Sequence, residues 1–292
     1  MPKSIGSITP WEFEYYGGRL WDRVTLLEFD NGHREASITR YKTLSDTPAG
    51  YDPLAGWQAP EASAESARGR GDRQASRERT TRRARKAARL RVKASAFDSL
   101  FTFTYRENVQ DRDLVAAHWK ECVRRIKRVL PDFAYLAVVE RQQRGALHLH
   151  VATHRLPASL DWKGIKVKSW NVLRAIWRSV VGDLGGNFDE SKRRKRSGSS
   201  QLRIARYITK YISKDFDDCE LDRKRYWAGG AWKAPRRVSM LFPRDPEARG
   251  MSADLIALVF EEVVGPGCEF SHWLHPDGYT YWIAALAPLK RG

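Results

Sequence analysis

Residues 133–154 read FAYLAVVERQQRGALHLHVATH, and the rest of the chain is interpreted outward from how this stretch folds. FAYLAVVE is an apolar, β-branched run of strand length. RQQRGA is polar and carries a glycine, and LHLHVATH alternates as a returning strand does. The expectation is a hairpin that turns through Gly145. Residues two apart on a strand share a side, so His148 and His150 project together while Leu149 and Val151 face the core. Glu140 lies near the end of the outgoing strand, where the hairpin brings its carboxylate back beside the two imidazoles.

Glu140, His148 and His150 are therefore the candidate ligands of one divalent ion. Two imidazoles and one carboxylate leave positions open for water or a phosphate oxygen, as a catalytic ion requires. Mg²⁺ or Mn²⁺ suits a phosphate substrate, although zinc hydrolases use similar donors. A lone His-x-His is most often a pair of ordinary strand residues, so the glutamate across the turn adds the weight. His154 continues the alternation as a substitute ligand, or as a surface residue at the strand end.

Upstream, SLFTFTY (residues 99–105) alternates apolar residues and threonines as a half-buried strand. DRDLVAAHWKECVRRIKRVL (residues 111–130) is an amphipathic helix with Leu114, Ala117, Trp119, Val123, Ile126 and Leu130 near one face, stopped by Pro131. Downstream come a helix over 170–184 ending at Gly185-Gly186, a short edge strand at NFDE, and a basic serine-rich loop, SKRRKRSGSS. A third helix covers 204–216. The order of strand, helix, hairpin, helix, short strand, helix is an α+β pattern, helices covering an antiparallel sheet.

The third helix carries the second constellation, RYITKYISK at residues 206–214. Tyr207, Lys210, Tyr211 and Lys214 follow i, i+3, i+4, i+7 spacing and form one stripe. Ile204, Ile208, Ile212 and Phe216 form the neighbouring apolar face. A phenol titrates near pH 10 and needs help to act as a nucleophile. An adjacent ammonium favours the phenolate and can hold a phosphate. The plain alternative is an amphipathic helix with half-buried tyrosines and solvated lysines. Packed against the metal site, the stripe would put a nucleophile on one side of a phosphate and a Lewis acid on its oxygens.

Composition points to the same substrate class. The 292 residues carry a formal net charge of +17, and 42% are hydrophobic, enough for a packed core. Such a charge calls for a polyanionic partner, and nucleic acid gains from counterion release. Residues 68–93 concentrate it, with twelve Arg or Lys against Asp72 and Glu78. This run reads as a basic helix or a solvated linker, and Arg82, Arg83, Arg85, Lys86 and Arg89 within it are candidate DNA contacts. Arg144 in the hairpin turn and Arg206 beside the first tyrosine are two more. The three cysteines (Cys122, Cys219, Cys268) are widely spaced and fit free thiols of a reducing compartment. No apolar run approaches the roughly 18–20 residues of a membrane span, and the opening MPKSIGSITPWEF lacks the apolar stretch of a secretory signal. A cytoplasmic protein without a membrane partner is expected. No GxxxxGK[ST] occurs, so a P-loop motor is excluded.

Three motifs together resemble the HUH-type rolling-circle replication initiators of small phages and plasmids, in particular those with two tyrosines. The first is the strand Phe101-Thr102-Phe103-Thr104. The second is His148-Leu149-His150, with Glu140 where many members supply a third ligand. The third is Tyr207-Ile208-Thr209-Lys210-Tyr211-Ile212-Ser213-Lys214. The resemblance covers residues 97–216. It implies an RRM-like order of sheet elements and nicking of one strand of single-stranded origin DNA through a 5′-phosphotyrosine. It implies alternation between Tyr207 and Tyr211 with Lys210 or Lys214 assisting, and a 3′-OH for a host polymerase. With no motor of its own, the protein would recruit a host helicase in a bacterial cytoplasm.

Four regions are expected on this reading. Residues 1–60 form a small β-rich region, with strands in WEFEYY, RLWDRVTLLEF and HREASITRYKT. Residues 61–95 form a basic flexible linker or helix, 96–225 the nickase core, and 226–292 a C-terminal extension packed on it. The extension has strand-like pieces (RRVSMLF, YTYWIAAL) and a helix over 252–264. A two-tyrosine single-strand transposase shares these motifs. A relaxase groups three histidines and carries its tyrosine near the N-terminus, unlike this chain. The alternative from another class is a non-catalytic basic nucleic-acid-binding protein, for which stacking aromatics on the sheet are expected.

Overall fold

The structure is a computed structural model describing residues 20–42, 73–190, 199–214, 224–244 and 250–286. In chain order the elements are β1 (Leu20–Glu28), β2 (Arg34–Lys42), α1 (Arg73–Ala94), β3 (Ser99–Tyr105), α2 (Arg112–Val129), β4 (Tyr135–Arg141) and β5 (Leu147–Thr153). There follow β6 (Ser159–Trp162), β7 (Ile165–Lys168), α3 (Ser169–Val181), β8 (Gly186–Glu190), α4 (Ser199–Lys214), β9 (Trp227–Gly229), β10 (Arg236–Pro243), α5 (Ala253–Val263), β11 (Glu269–Leu274) and β12 (Thr280–Leu286). The fold is α+β with antiparallel sheets. Among the described residues no helix is long and apolar enough to cross a membrane.

The chain forms two compact units, residues 77–234 and residues 1–76 with 235–292. In the first, an antiparallel sheet runs β8-β3-β5-β4-β9. Strand alternation sends Phe101, Phe103, Tyr135, Ala137, Val139, Leu149 and Val151 to one face. There they meet Val115, Trp119, Cys122 and Ile126 of α2 and Val172, Leu173, Ile176 and Trp177 of α3. Leu100, Leu136, Val138 and Ala152 point the other way, against Ala88 and Val92 of α1 and Ile204, Ala205, Ile208 and Ile212 of α4. All seven positions of β5 are buried.

β3 is half-buried as expected over its apolar/threonine stretch, with Phe101, Phe103 and Tyr105 buried and Thr102 and Thr104 partly exposed. The apolar face of α2 is corrected in part. On α2 the buried stripe is Val115, Trp119, Cys122 and Ile126, while Leu114 is exposed. Asp111 caps this helix by accepting from the amides of Asp113 at 2.8 Å and Leu114 at 3.2 Å. Of the two readings of the basic run, helix or linker, the helix is the one found: α1 has 22 residues and packs through Ala84, Ala88 and Val92.

The second unit overturns the expected separation of an N-terminal region from a C-terminal extension. Its sheet runs β10-β1-β2-β12-β11, so strands from both ends of the chain share one ladder. Val24, Leu26, Ala36, Ile38, Tyr281, Ile283 and Ala285 lie on the face packed by Leu255, Val259 and Val263 of α5. β9, in contrast, pairs with β4 in the first unit. The strand expected at WEFEYY (residues 11–16), most of the SKRRKRSGSS loop, Phe216 and Cys219 lie outside the described residues.

Candidate active site

The site lies on the α1/α4 face of the first unit's sheet, at the turn end of the β4–β5 hairpin. The turn closes with Gly145 donating to the Gln142 carbonyl at 2.8 Å and Gln142 donating to that of Ala146 at 2.9 Å. Gly145 has φ +89°, a left-handed conformation that glycine adopts without a Cβ penalty. This geometry sets the register: Glu140 lies opposite His148, Val138 opposite His150, and Thr102 of β3 opposite His150 from the other side.

His150 is the hub. Its Nε2 lies 2.7 Å from Glu140 Oε2 and its Nδ1 lies 3.1 Å from Thr102 Oγ1. Tyr207 Oη approaches the same Nδ1 at 3.5 Å, with its ring edge-on to the imidazole at a centroid distance of 5.2 Å. The Tyr211 ring stacks on His150 at 4.7 Å and 21°, and the two tyrosine rings meet at 4.8 Å. Both phenols therefore reach one imidazole from adjacent turns of α4, whose Ile204, Ile208 and Ile212 anchor it to the sheet.

His148 sits one alternation away, buried, with Gln142 Nε2 3.0 Å from its Nδ1. Its Nε2 is buried without a hydrogen-bond partner. Such an orphaned nitrogen is costly and points to a missing ligand. Among the described residues, no three His, Cys, Asp or Glu side chains converge as they stand to hold an ion. Glu140 is instead hydrogen-bonded to Nε2 of His150. The donor types fit a small divalent cation, two imidazole nitrogens and one carboxylate, and the unpartnered His148 nitrogen is the position such an ion would satisfy.

Electrostatics keep the groups neutral. Burial lowers the His148 pKa, helped by His150 and Arg144 and opposed by Glu140. Burial raises Tyr207, opposed by its hydrogen bond with Tyr211, while the Glu140 charge adds to the rise. Tyr211 is pushed far above the ordinary phenol range by burial, then by hydrogen bonding to Tyr207 and by Glu140. In the free protein burial outweighs other influences on both phenols. Lys210 is exposed, with its Nζ 5.9 Å from the Tyr211 ring centroid, and the Lys214 side chain lies outside the described residues.

Of the expected basic contacts, Arg82, Arg83, Arg85 and Lys86 are exposed on α1 and Arg89 is half-buried; Arg144 and Arg206 are exposed. His154 is exposed and edge-on to Phe97 at 5.1 Å, away from the cluster. Two partners escaped the sequence reading. Gln142 lies two residues beyond Glu140, so strand alternation could have placed it beside the histidines. Thr102 was read as a motif position and is here a direct partner of His150.

Residues 98–216 match the family described as Replication-associated protein ORF2/G2P. Over this segment the chain is similar to replication-associated proteins. The matched segment begins just before β3 and ends just after α4, enclosing Thr102, Glu140, His148, His150, Tyr207 and Tyr211. It covers less than half of the chain and supports a role in replication initiation. Neither the curated proteins nor the solved structures returned a match.

Proposed function

We propose that the protein is a metal-dependent single-strand DNA endonuclease and strand transferase of the HUH type, initiating rolling-circle replication. The observation that carries this reading is the convergence of Tyr207, Tyr211, Glu140 and Thr102 on His150. Helix, hairpin and neighbouring strand each contribute one functional type, which a merely structural cluster does not require.

Glu140, His148 and His150 would hold Mg²⁺ or Mn²⁺, which supplies Lewis-acid polarisation of the scissile phosphate. Tyr207 is the more accessible phenol, half-buried where Tyr211 is 6% exposed, and is the first nucleophile in this reading. Its oxygen forms the bond to phosphorus, the 3′ oxygen of the preceding nucleotide leaves, and a 5′-phosphotyrosine results. Tyr211 hydrogen-bonds to Tyr207 and so offsets part of the burial that holds Tyr207 neutral. It is the second nucleophile, one turn along the same helix: its attack on a new origin copy would form a second 5′-phosphotyrosine and release a 3′-OH. That 3′-OH would attack the Tyr207 phosphotyrosine, closing the DNA phosphodiester with the Tyr207 oxygen as leaving group. Exposed Lys210 and Arg206 line the solvent side of α4, where a phosphate backbone would run. A host helicase and polymerase complete the cycle, since the chain shows no motor motif.

The test is mass spectrometry of the conjugate trapped on single-stranded origin oligonucleotides with Mn²⁺. A peptide containing residues 206–214 and carrying a 5′-linked fragment is expected, and its loss in chelator. Tyr207→Phe should reduce the first cleavage by about 10²-fold or more, Tyr211→Phe much less, and the double change should abolish it. Full cleavage by the double variant would remove the tyrosine assignment.

A further inference from the structure

We infer that Trp232, backed by Arg91, is a stacking platform for a base of the bound DNA strand. It lies on the α1 side of the first unit at the far end of β4 from the tyrosines. The inference rests on single-stranded DNA being the substrate and adds a contact that the catalytic motifs do not contain.

Trp232 is 41% exposed, in a chain segment where Tyr226 and Ala228 are packed into the core. The segment is fixed in place. β9 pairs with β4, Gly229 lying opposite Tyr135. Gly230 has φ +86°, and a Cβ there would collide with Ala134, so the turn presses directly on the strand beneath it. Arg91 of α1 donates from Nη2 to the carbonyls of Gly229 at 3.2 Å and Gly230 at 2.9 Å. The same guanidinium carbon lies 5.4 Å from the Trp232 ring centroid. The indole is thus an exposed aromatic surface beside a guanidinium that is itself tied to the adjoining turn.

Single-stranded nucleic acid is bound by such combinations, bases stacking on aromatic faces while cations track the backbone. Charge complementarity favours this occupant over an apolar peptide. Lys233 adjoins the indole in sequence, and Arg83 lies two turns earlier on the Arg91 flank of α1. Tyr135, opposite Gly229, and Glu140, on His150, are five residue steps apart, roughly 16 Å along β4 at the usual strand rise. A short stretch of extended single strand would bridge that span. The platform would hold the strand flanking the cleaved linkage and leave the scissile phosphate free.

The experiment is fluorescence anisotropy of labelled single-stranded origin DNA with the full chain, in chelator so that no chemistry occurs. Trp232→Ala should weaken binding about tenfold while Trp232→Phe stays within about threefold of wild type. Wild-type affinity in the alanine variant overturns the platform, and so does a phenylalanine variant as weak as alanine. Should the alanine variant fold poorly, the wild-type protein is irradiated with oligonucleotides carrying bromodeoxyuridine at every thymidine position. Adducts at Trp232 support the inference; adducts confined to other residues overturn it. Because binding is read without cleavage, failure of the nickase reading in the double tyrosine variant leaves this result independently legible.

Discussion

A histidine can serve a cation only with its ring held and its proton on the far nitrogen. In the free protein Nε2 of His150 donates to Glu140 Oε2 at 2.7 Å, so Nδ1 accepts from Thr102 Oγ1 at 3.1 Å. A cation on Nε2 would require the ring proton to move to Nδ1, where Thr102 Oγ1 would accept it. Thr102→Val keeps the shape of the side chain and removes the acceptor. It should weaken Mn²⁺ binding by about 10–100-fold, the usual range for a lost outer partner, measured by titration calorimetry without DNA. Unchanged affinity would show that Thr102 only packs. A second residue-scale effect lies on the opposite face, where Tyr105 Oη and Nδ1 of His118 are hydrogen-bonded at 3.1 Å. Burial lowers the His118 pKa. The unfolded chain takes up that proton near pH 6.5, whereas the folded chain resists it. The unfolded state then binds more protons, so stability falls as pH drops below about 6.5. His118→Gln should flatten that decline in urea titrations between pH 7 and pH 5; the same slope in both proteins would exclude His118 as a source.

At the scale of elements, α1 and α4 lie on one sheet face but were unequally legible. The α4 pattern was plain because Ile204, Ile208 and Ile212 repeat every four residues and are all buried. In α1 the buried stripe is mostly alanine (Ala84, Ala88) with Val92, too weakly apolar to stand out among the surrounding cations. The charge was visible and the packing was not. β6, β7 and β9 were missed because strands of three or four residues give too few alternations to show a period. The packing of α1 matters for function, since a docked helix presents its cations at fixed positions while a loose linker does not. Reversing Arg82, Arg85 and Lys86 to Glu together should weaken single-stranded DNA binding. It should also lower the slope of log affinity against log salt by about 2, at roughly 0.7 for each phosphate no longer neutralised. The side chains are exposed, so thermal stability should barely move. An unchanged slope would mean that the DNA runs elsewhere.

At the scale of the whole molecule, the sequence pattern disclosed the local hairpins but not which hairpins would join. Strand β2 pairs with β12 more than two hundred residues away, Ile38 opposite Tyr281 and Ala36 opposite Ile283. Nothing in either stretch names its partner, because alternation specifies a face and leaves the neighbour open. The consequence is testable. A chain ending at residue 234 loses β10, β12 and α5, so Val24, Leu26 and Ile38 lose the surfaces that bury them. A two-stranded hairpin alone is marginal in water. The two hydrophobic clusters of the first unit draw all their members from residues 84–228 and stay whole. Hydrogen exchange should therefore show β1 and β2 amides losing protection in the truncated chain while those of β3, β4 and β5 keep theirs. The truncated chain should also still form the tyrosine adduct, since every residue around His150 remains. Protection surviving in β1 and β2, or vanishing from β5, would mean that each unit does not depend on its own ladder in this way.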